Sequence, residues 1–467
     1  MQSMSLTHSV PLNAFQCLAR DWEKLHPYNA AQAMRLRGRT DFAAVARAWA
    51  DAVEAAGLGR VSVDPTNGRH FRHETLNGEL ARYPVRMLPP GSDLGAYISS
   101  ELNRAFDDPG EPPFRPFVIP VPADPLQSRA AGGADHPADA QESYYLGVVY
   151  QHWVADSTAI RLLMKDWFVR LHDPAQARRQ PMRHARHGYR TLFGPCRGGW
   201  HPADIVFNLL RRHWRYRGVR KVHTFGPGDY PMKVLLRAAP EGLIERLAAY
   251  AKARGLKLND LFLAALAESC HKVVPTQHRP TRQGVAVATI VDLRPHTPED
   301  LSDTFGLFLG FTEVVCGPRD LRDFKRLVAS VATQNQLHRR RGIRQSSLAW
   351  LVAAWAARRF LPARKIYHFY RKEAPLVGGV SNVNLNSTWA AEYSPQALLE
   401  YVRVSPTGPM VPLVLAVTTL GRRLHLSMTF RPALLSDSAA DELAGRVLAR
   451  LECLSNGSEV LDNRAAK

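Results

Sequence analysis

Between Asp41 and Gly57 the apolar positions Phe42, Val45, Ala46, Trp49 and Val53 recur at helical spacing, which predicts a helix capped by Asp41 and closed by Gly57. The pattern then changes period. Residues 143–153, SYYLGVVYQHW, are dense in β-branched and aromatic side chains and read as a strand. The strand leads into a second helix, Ser157 to Leu171, whose Ile160, Leu163, Trp167 and Leu171 share a face before Asp173-Pro174 ends it. In the second half, 232–238 is extended. Helices follow over 241–254, closed by Gly255, and over 257–274, with Asn259 as the expected cap. Residues 284–295 read as a buried strand ended by Pro295, and 378–386 as another strand. Residues 411–430 form a hairpin turning at Gly421, and 437–453 a last amphipathic helix. Strands and helices interleave throughout, so the fold class is α/β (α+β). No repeat of 20 to 50 residues is seen, and the Pro-, Ala-, Gly- and Asp-rich run 122–142 reads as a mobile surface insertion.

The chain has 467 residues, room for two large domains or roughly three average ones. At 45% hydrophobic and 22% charged it is globular in composition, not disordered or fibrous. Its five cysteines form no CxxC pair, which argues against a disulfide framework or a zinc ribbon and leaves no metal site expected. The first residues lack the basic start and apolar core of a signal peptide, and the apolar run Leu348 to Ala357 is too short to span a bilayer. The expectation is a cytoplasmic protein.

Charge changes that picture. The net charge is +19, so the partners should be anions: nucleic acid, acidic carrier proteins, phosphorylated cofactors or anionic lipid. Residues 178–221 hold twelve Lys or Arg against one acid, Asp204. If 205–217 is helical, several of Arg211, Arg212, Arg215 and Arg217 should share one exposed face, able to dock a donor or its carrier. Residues 339–372 carry ten basic side chains and no acid, interleaved with aromatics. A segment of that kind suits peripheral contact with an anionic inner-membrane surface. No helix-turn-helix, zinc knuckle, RRM or KH signature accompanies the charge, so nucleic acid is not favoured.

Three short motifs carry candidate chemistry. QHWVADS places His152 and Asp156 where a strand ends and a helix begins. A histidine there is held rigidly by its backbone and suits a general base. The HxxxD spacing by itself is weak, since His296 and Asp300 repeat it in a Pro-rich loop. VDLRP puts Arg294 at the end of a buried strand, where a cation needs a carboxylate, and Asp156 is a candidate. GGVSNVNLN offers Ser381 and Asn382 as hydrogen-bond donors for a developing oxyanion or a substrate.

These motifs, with LNDLFLAALAESCHK (258–272) and LHLSMTFRPALLSD (424–437), occur in an order that resembles the CoA-dependent acyltransferase superfamily of chloramphenicol-acetyltransferase-like fold. Its members include condensation domains, wax ester synthases, alcohol acyltransferases and polyketide-associated acyltransferases. The resemblance implies two similar subdomains around a central tunnel. The expected division is 1–177, a basic crossover at 178–224, and 225–467. It also implies His152 as catalytic base, Asp156 pairing with Arg294 to shape the loop, and no bound cofactor. The co-substrate would be acyl-CoA or an acyl thioester carried on the phosphopantetheine of an acidic acyl carrier protein. The acceptor would be a hydroxyl or amine, small or lipid-like. The alternatives are a stand-alone condensation enzyme joining carrier-bound substrates, and a non-catalytic anion- or nucleic-acid-binding protein. Gln151 and Ser157 depart from the HHxxxDG of condensation domains, and no DFGWG-like motif is present, so the resemblance reaches the superfamily and stops short of a subfamily.

Overall fold

The computed structural model describes the chain except residues 1–6, 64–69, 75–83, 107–111, 123–141, 186–191, 193–201, 223–226, 278–279, 390–396 and 457–467, and most of 341–374. The surface insertion expected at 122–142 and the apolar stretch Leu348 to Ala357 thus lie almost wholly outside the described residues.

Strand Ser143–Gln151 lies inside a five-stranded sheet, antiparallel to Asn29–Arg37 on one side and to Phe114–Val121 on the other. Nearly all its residues are buried, which is why its sequence is an unbroken apolar run and not an alternation. Gly147 is required by packing: a Cβ there would meet the ring of Phe117 at 2.1 Å. Strand Leu398–Val404, from late in the chain, pairs with Asn29–Arg37 at this sheet's edge. The N-terminal sheet is therefore completed by a strand from the C-terminal half.

The second sheet has six strands in the order Lys233–Ala238, Arg423–Phe430, Leu413–Leu420, Gly378–Asn384, Val285–Asp292, Leu309–Cys316. Gly378–Asn384 runs parallel to both of its neighbours, and the other pairings are antiparallel. The expected hairpin turns at Gly421, whose φ of 59° lies in the left-handed region that glycine tolerates.

Helices cover the sheets. Phe42–Ala55 is capped by the Asp41 carboxylate, which accepts from the Ala44 N–H at 3.1 Å. It packs on Ser157–His172 through Trp49 and Trp167, whose rings lie 4.7 Å apart. Helix Leu258–Val273 is buried along most of its length in the C-terminal core. Its cap differs from expectation. Lys257 holds the cap position, its N–H donating to Asp260, while Asn259 lies inside the first turn and accepts from the Thr289 hydroxyl. The strand expected to run to Pro295 ends at Asp292, because Arg294–His296 turns as a 3-10 helix.

Candidate active site

His152 is the first residue beyond strand Ser143–Gln151, and the backbone at this corner is tied from both sides. Its N–H donates to the Tyr28 carbonyl at 2.9 Å, and the Asp156 N–H donates to the Gly306 carbonyl at 3.0 Å. The imidazole Nδ1 lies 3.1 Å from the Ala155 carbonyl oxygen. That oxygen can only accept, so Nδ1 carries the proton and the lone pair resides on Nε2. Tyr28 stacks on the ring at 5.4 Å and Tyr150 meets it edge-on at 5.9 Å. Burial pushes the imidazole pKa down, which favours the neutral form.

Asp156 is fully buried and turned away from the imidazole. Oδ1 accepts from the N–H groups of Thr158 and Ala159, capping helix Ser157–His172. Oδ2 accepts from Arg294 Nη1 at 2.6 Å and from the Phe308 N–H at 2.8 Å. Burial works to raise the carboxyl pKa, but the Arg294 guanidinium and the three N–H donors outweigh it and hold it below the usual range. Arg294 also donates to the Thr304 carbonyl and stands over the ring of Phe308.

A cavity of about 300 Å³ opens between the two halves of the molecule. His152 forms part of its wall together with Ser381 and Asn382 on strand Gly378–Asn384, so three of the residues singled out from sequence meet around one space. Much of the remaining wall is apolar, with Phe15, Ile290, Phe311 and Val411 among its members. Two arginines missed in the sequence reading, Arg161 and Arg403, also line it. Arg403 Nη2 donates to the Ser381 Oγ at 2.7 Å. Among the described residues no group of three or more His, Cys, Asp or Glu is placed to hold a metal ion.

The exposed cationic face expected on 205–217 does not form. Arg212 makes a two-pronged bond to Glu313, at 2.9 and 2.7 Å, and stands over Tyr216. Arg215 donates to Gln334, Arg211 is half-buried, and Arg217 lies past the helix end against the ring of Trp214. None of the four lines the cavity. Helix Pro202–Tyr216 uses Arg212 and Arg215 to hold on to the C-terminal half, and among its described side chains Val206, Phe207, Leu210 and Trp214 are exposed, with His213 beside them. Charge alone could not show this, because an arginine facing a half-buried Glu reads in sequence like an arginine facing water.

No protein-family model and no curated protein matches the chain. Solved structures do. A trichothecene 15-O-acetyltransferase from Fusarium sporotrichioides superposes with a TM-score of 0.68 at 12% identity, over 97% of this chain and 95% of that one. The condensation domain of the Monacolin K polyketide synthase MokA gives 0.63 at 11% identity, over 98% and 99% of the two chains. The nonribosomal peptide synthetase FmoA3 gives 0.61 at 18% identity over 96% of this chain, which spans only 42% of that synthetase. The chain has the two-subdomain chloramphenicol-acetyltransferase-like fold that these condensation domains and this O-acetyltransferase share.

Proposed function

We propose that the protein is an acyltransferase that moves an acyl group from a thioester to a hydroxyl or amine, with His152 as general base. The observation that carries this reading is the pinned tautomer of His152 at the wall of a cavity between the subdomains. With its proton held on Nδ1 by the Ala155 carbonyl, the ring offers Nε2 to an acceptor. Nε2 takes the proton as the acceptor oxygen or nitrogen attacks the thioester carbon. A tetrahedral oxyanion forms, then collapses, expelling the thiolate, which recovers the proton from the imidazolium. Asp156 acts in this scheme as a positioning residue: with Arg294 it fixes the corner that carries the imidazole. Ser381 is the strongest oxyanion donor, because its oxygen accepts from Arg403 and its own proton can turn to the cavity. Asn382 is a second contact.

The acyl donor is acyl-CoA or a carrier-bound phosphopantetheine thioester, both anionic, and neither leaves a resident cofactor. A condensation-type reaction between carrier-bound substrates is the second reading, favoured by the chain's matching one domain's length of a larger synthetase. We also place the molecule at an anionic inner-membrane surface, where the apolar stripe on helix Pro202–Tyr216 would be covered. No described helix is long and apolar enough to cross a membrane.

The test is mass spectrometry of the protein incubated with acyl-CoA, acyl-pantetheine or a loaded carrier, each with panels of alcohols and amines. Product formed by the wild type and lost in His152→Ala supports the reading. Turnover unchanged in His152→Ala with a productive donor sinks it.

A further inference from the structure

The cavity wall holds two arginines that the reaction just described does not need as cations. Arg403 is 2% exposed, yet every bond it makes is to a neutral acceptor. Its Nε donates to the Ser157 hydroxyl at 2.9 Å, Nη1 to the Ser381 and Val417 carbonyls, and Nη2 to the Ser381 hydroxyl. Arg161 bonds through Nη2 to the Thr158 hydroxyl at 2.9 Å, and its Nη1 is buried with no hydrogen-bond partner. Neither forms an ion pair among the described residues. The cavity's one acid, Asp292, is already engaged: it accepts from the Arg294 N–H and the Thr158 hydroxyl and lies 3.5 Å from the Arg294 guanidinium.

Two neighbouring cations without a carboxylate are unfavourable in a buried site. Burial, then the proximity of Arg161, pulls the Arg403 pKa down to about 9. Burial lowers that of Arg161 also, although Asp156 and Asp292 act against it from a distance. A fold would be more stable with neutral side chains at both positions unless something negative enters. Arg161 lines the cavity from the second turn of helix Ser157–His172, and Arg403 lines it from strand Leu398–Val404 while bonding to that helix's first residue, Ser157.

We propose that Arg161 and Arg403 form a carboxylate-binding subsite, so that one reactant delivered to His152 carries a carboxylate on its acyl or acceptor part. Arg161, whose Nη1 is unbonded, can donate to a carboxylate, and Arg403 adds its positive charge and its remaining Nη2 proton, while the apolar wall suits a short hydrocarbon body behind it. The word reactant rests on the acyl-transfer reading, whereas the anion site does not.

The pair benzoate and benzamide tests this, since they share shape and differ in charge. Titration calorimetry on the full chain should show benzoate binding to the wild type more tightly than benzamide. Arg161→Met should weaken benzoate by about tenfold or more, the loss expected for a charge-assisted bond, with benzamide unchanged. Arg161→Lys should fall between. Competition kinetics against each substrate in turn then shows which reactant carries the group. Equal affinity for the two probes, no benzoate binding at millimolar concentration, or benzoate binding indifferent to Arg161→Met would overturn the proposal. So would inorganic phosphate binding in benzoate's place, which points to a phosphorylated ligand. His152→Ala should keep benzoate binding. A wild type that binds benzoate but turns over no thioester would end the acyl-transfer reading and leave the subsite standing.

Discussion

Asp156 gives its carboxylate to Arg294 at 2.6 Å and to three backbone N–H groups, and none of it to the imidazole four residues earlier. We therefore expect the pair to stabilise a corner and not to relay protons. Asp156→Asn would keep one oxygen for the helix cap. Its amide would then face the Arg294 guanidinium and the Phe308 N–H, donor against donor. We expect a loss of about 3–5 kcal/mol of stability, typical of a broken buried pair, together with reduced turnover. Adding Arg294→Met should recover part of the stability, as the cation left unpaired is removed. Thermal melts of the three variants check this. A stable Asp156→Asn with lost activity would instead place Asp156 in the chemistry.

His152 should govern the acid limb of activity. Burial lowers its pKa, so the imidazole is neutral, and competent as a base, at pH values below its ordinary 6.5. The midpoint of the rising limb of kcat/KM against pH should fall below 6.5. His152→Ala should cost about two to four orders of magnitude in turnover, the range for a lost general base, with the melting temperature little changed. A limb centred above 6.5 would mean that another group is titrating.

The sequence announced the elements whose pattern is set by full burial or by one strong periodicity: Ser143–Gln151, Ser157–His172, Val285–Asp292 and the hairpin at Gly421. It did not announce Asn29–Arg37, whose run NAAQAMRLR is mostly buried but mixes Asn, Gln and Arg among alanines. Gln32 is buried there only because Tyr401 and Ser157 satisfy it, partners 369 and 125 positions away. Arg403 was hidden for the same reason. In YVRVSP it looks like an edge-strand arginine, and only the meeting of two sheets buries it. His152, Asp156 and Arg294 were legible because their motifs sit at strand ends and follow one another in the order of the superfamily that the chain resembles; the Asp156–Arg294 pair itself joins positions 138 apart.

Glu23 offers a stability test independent of catalysis. Burial raises its carboxyl pKa from 4.5 to about 7, against the opposing bonds from Trp153 and Gln151. The folded state thus holds this proton up to neutrality, and the unfolded chain releases it at lower pH. The contribution is fully present below pH 4.5 and is lost as pH rises through 7. Glu23→Gln removes the titration while keeping an acceptor for Gln151. Relative to the wild type, the variant should melt higher at pH 8 than at pH 5. An identical difference at the two pH values would show that Glu23 is not buried as described.

The last expectation concerns helix Pro202–Tyr216. Val206, Leu210 and Trp214 follow at intervals of four and Phe207 lies beside them, each more than half exposed. The surrounding stretch 178–221 holds twelve Lys or Arg against a single acid. An apolar stripe set in positive charge fits a lipid surface carrying anionic headgroups. The protein should co-sediment with phosphatidylserine vesicles and less with phosphatidylcholine ones. Salt should weaken the binding, since the screening length falls from about 10 Å at 0.1 M to about 3 Å at 1 M. Leu210→Glu with Trp214→Glu should abolish it and leave the melting temperature unchanged, because both side chains are exposed. Arg212→Glu should behave differently: it sets a second acid against Glu313 in a half-buried pocket and should lower stability first. If the double glutamate variant keeps its vesicle binding but raises the KM for the thioester donor, the stripe serves a carrier and not a membrane.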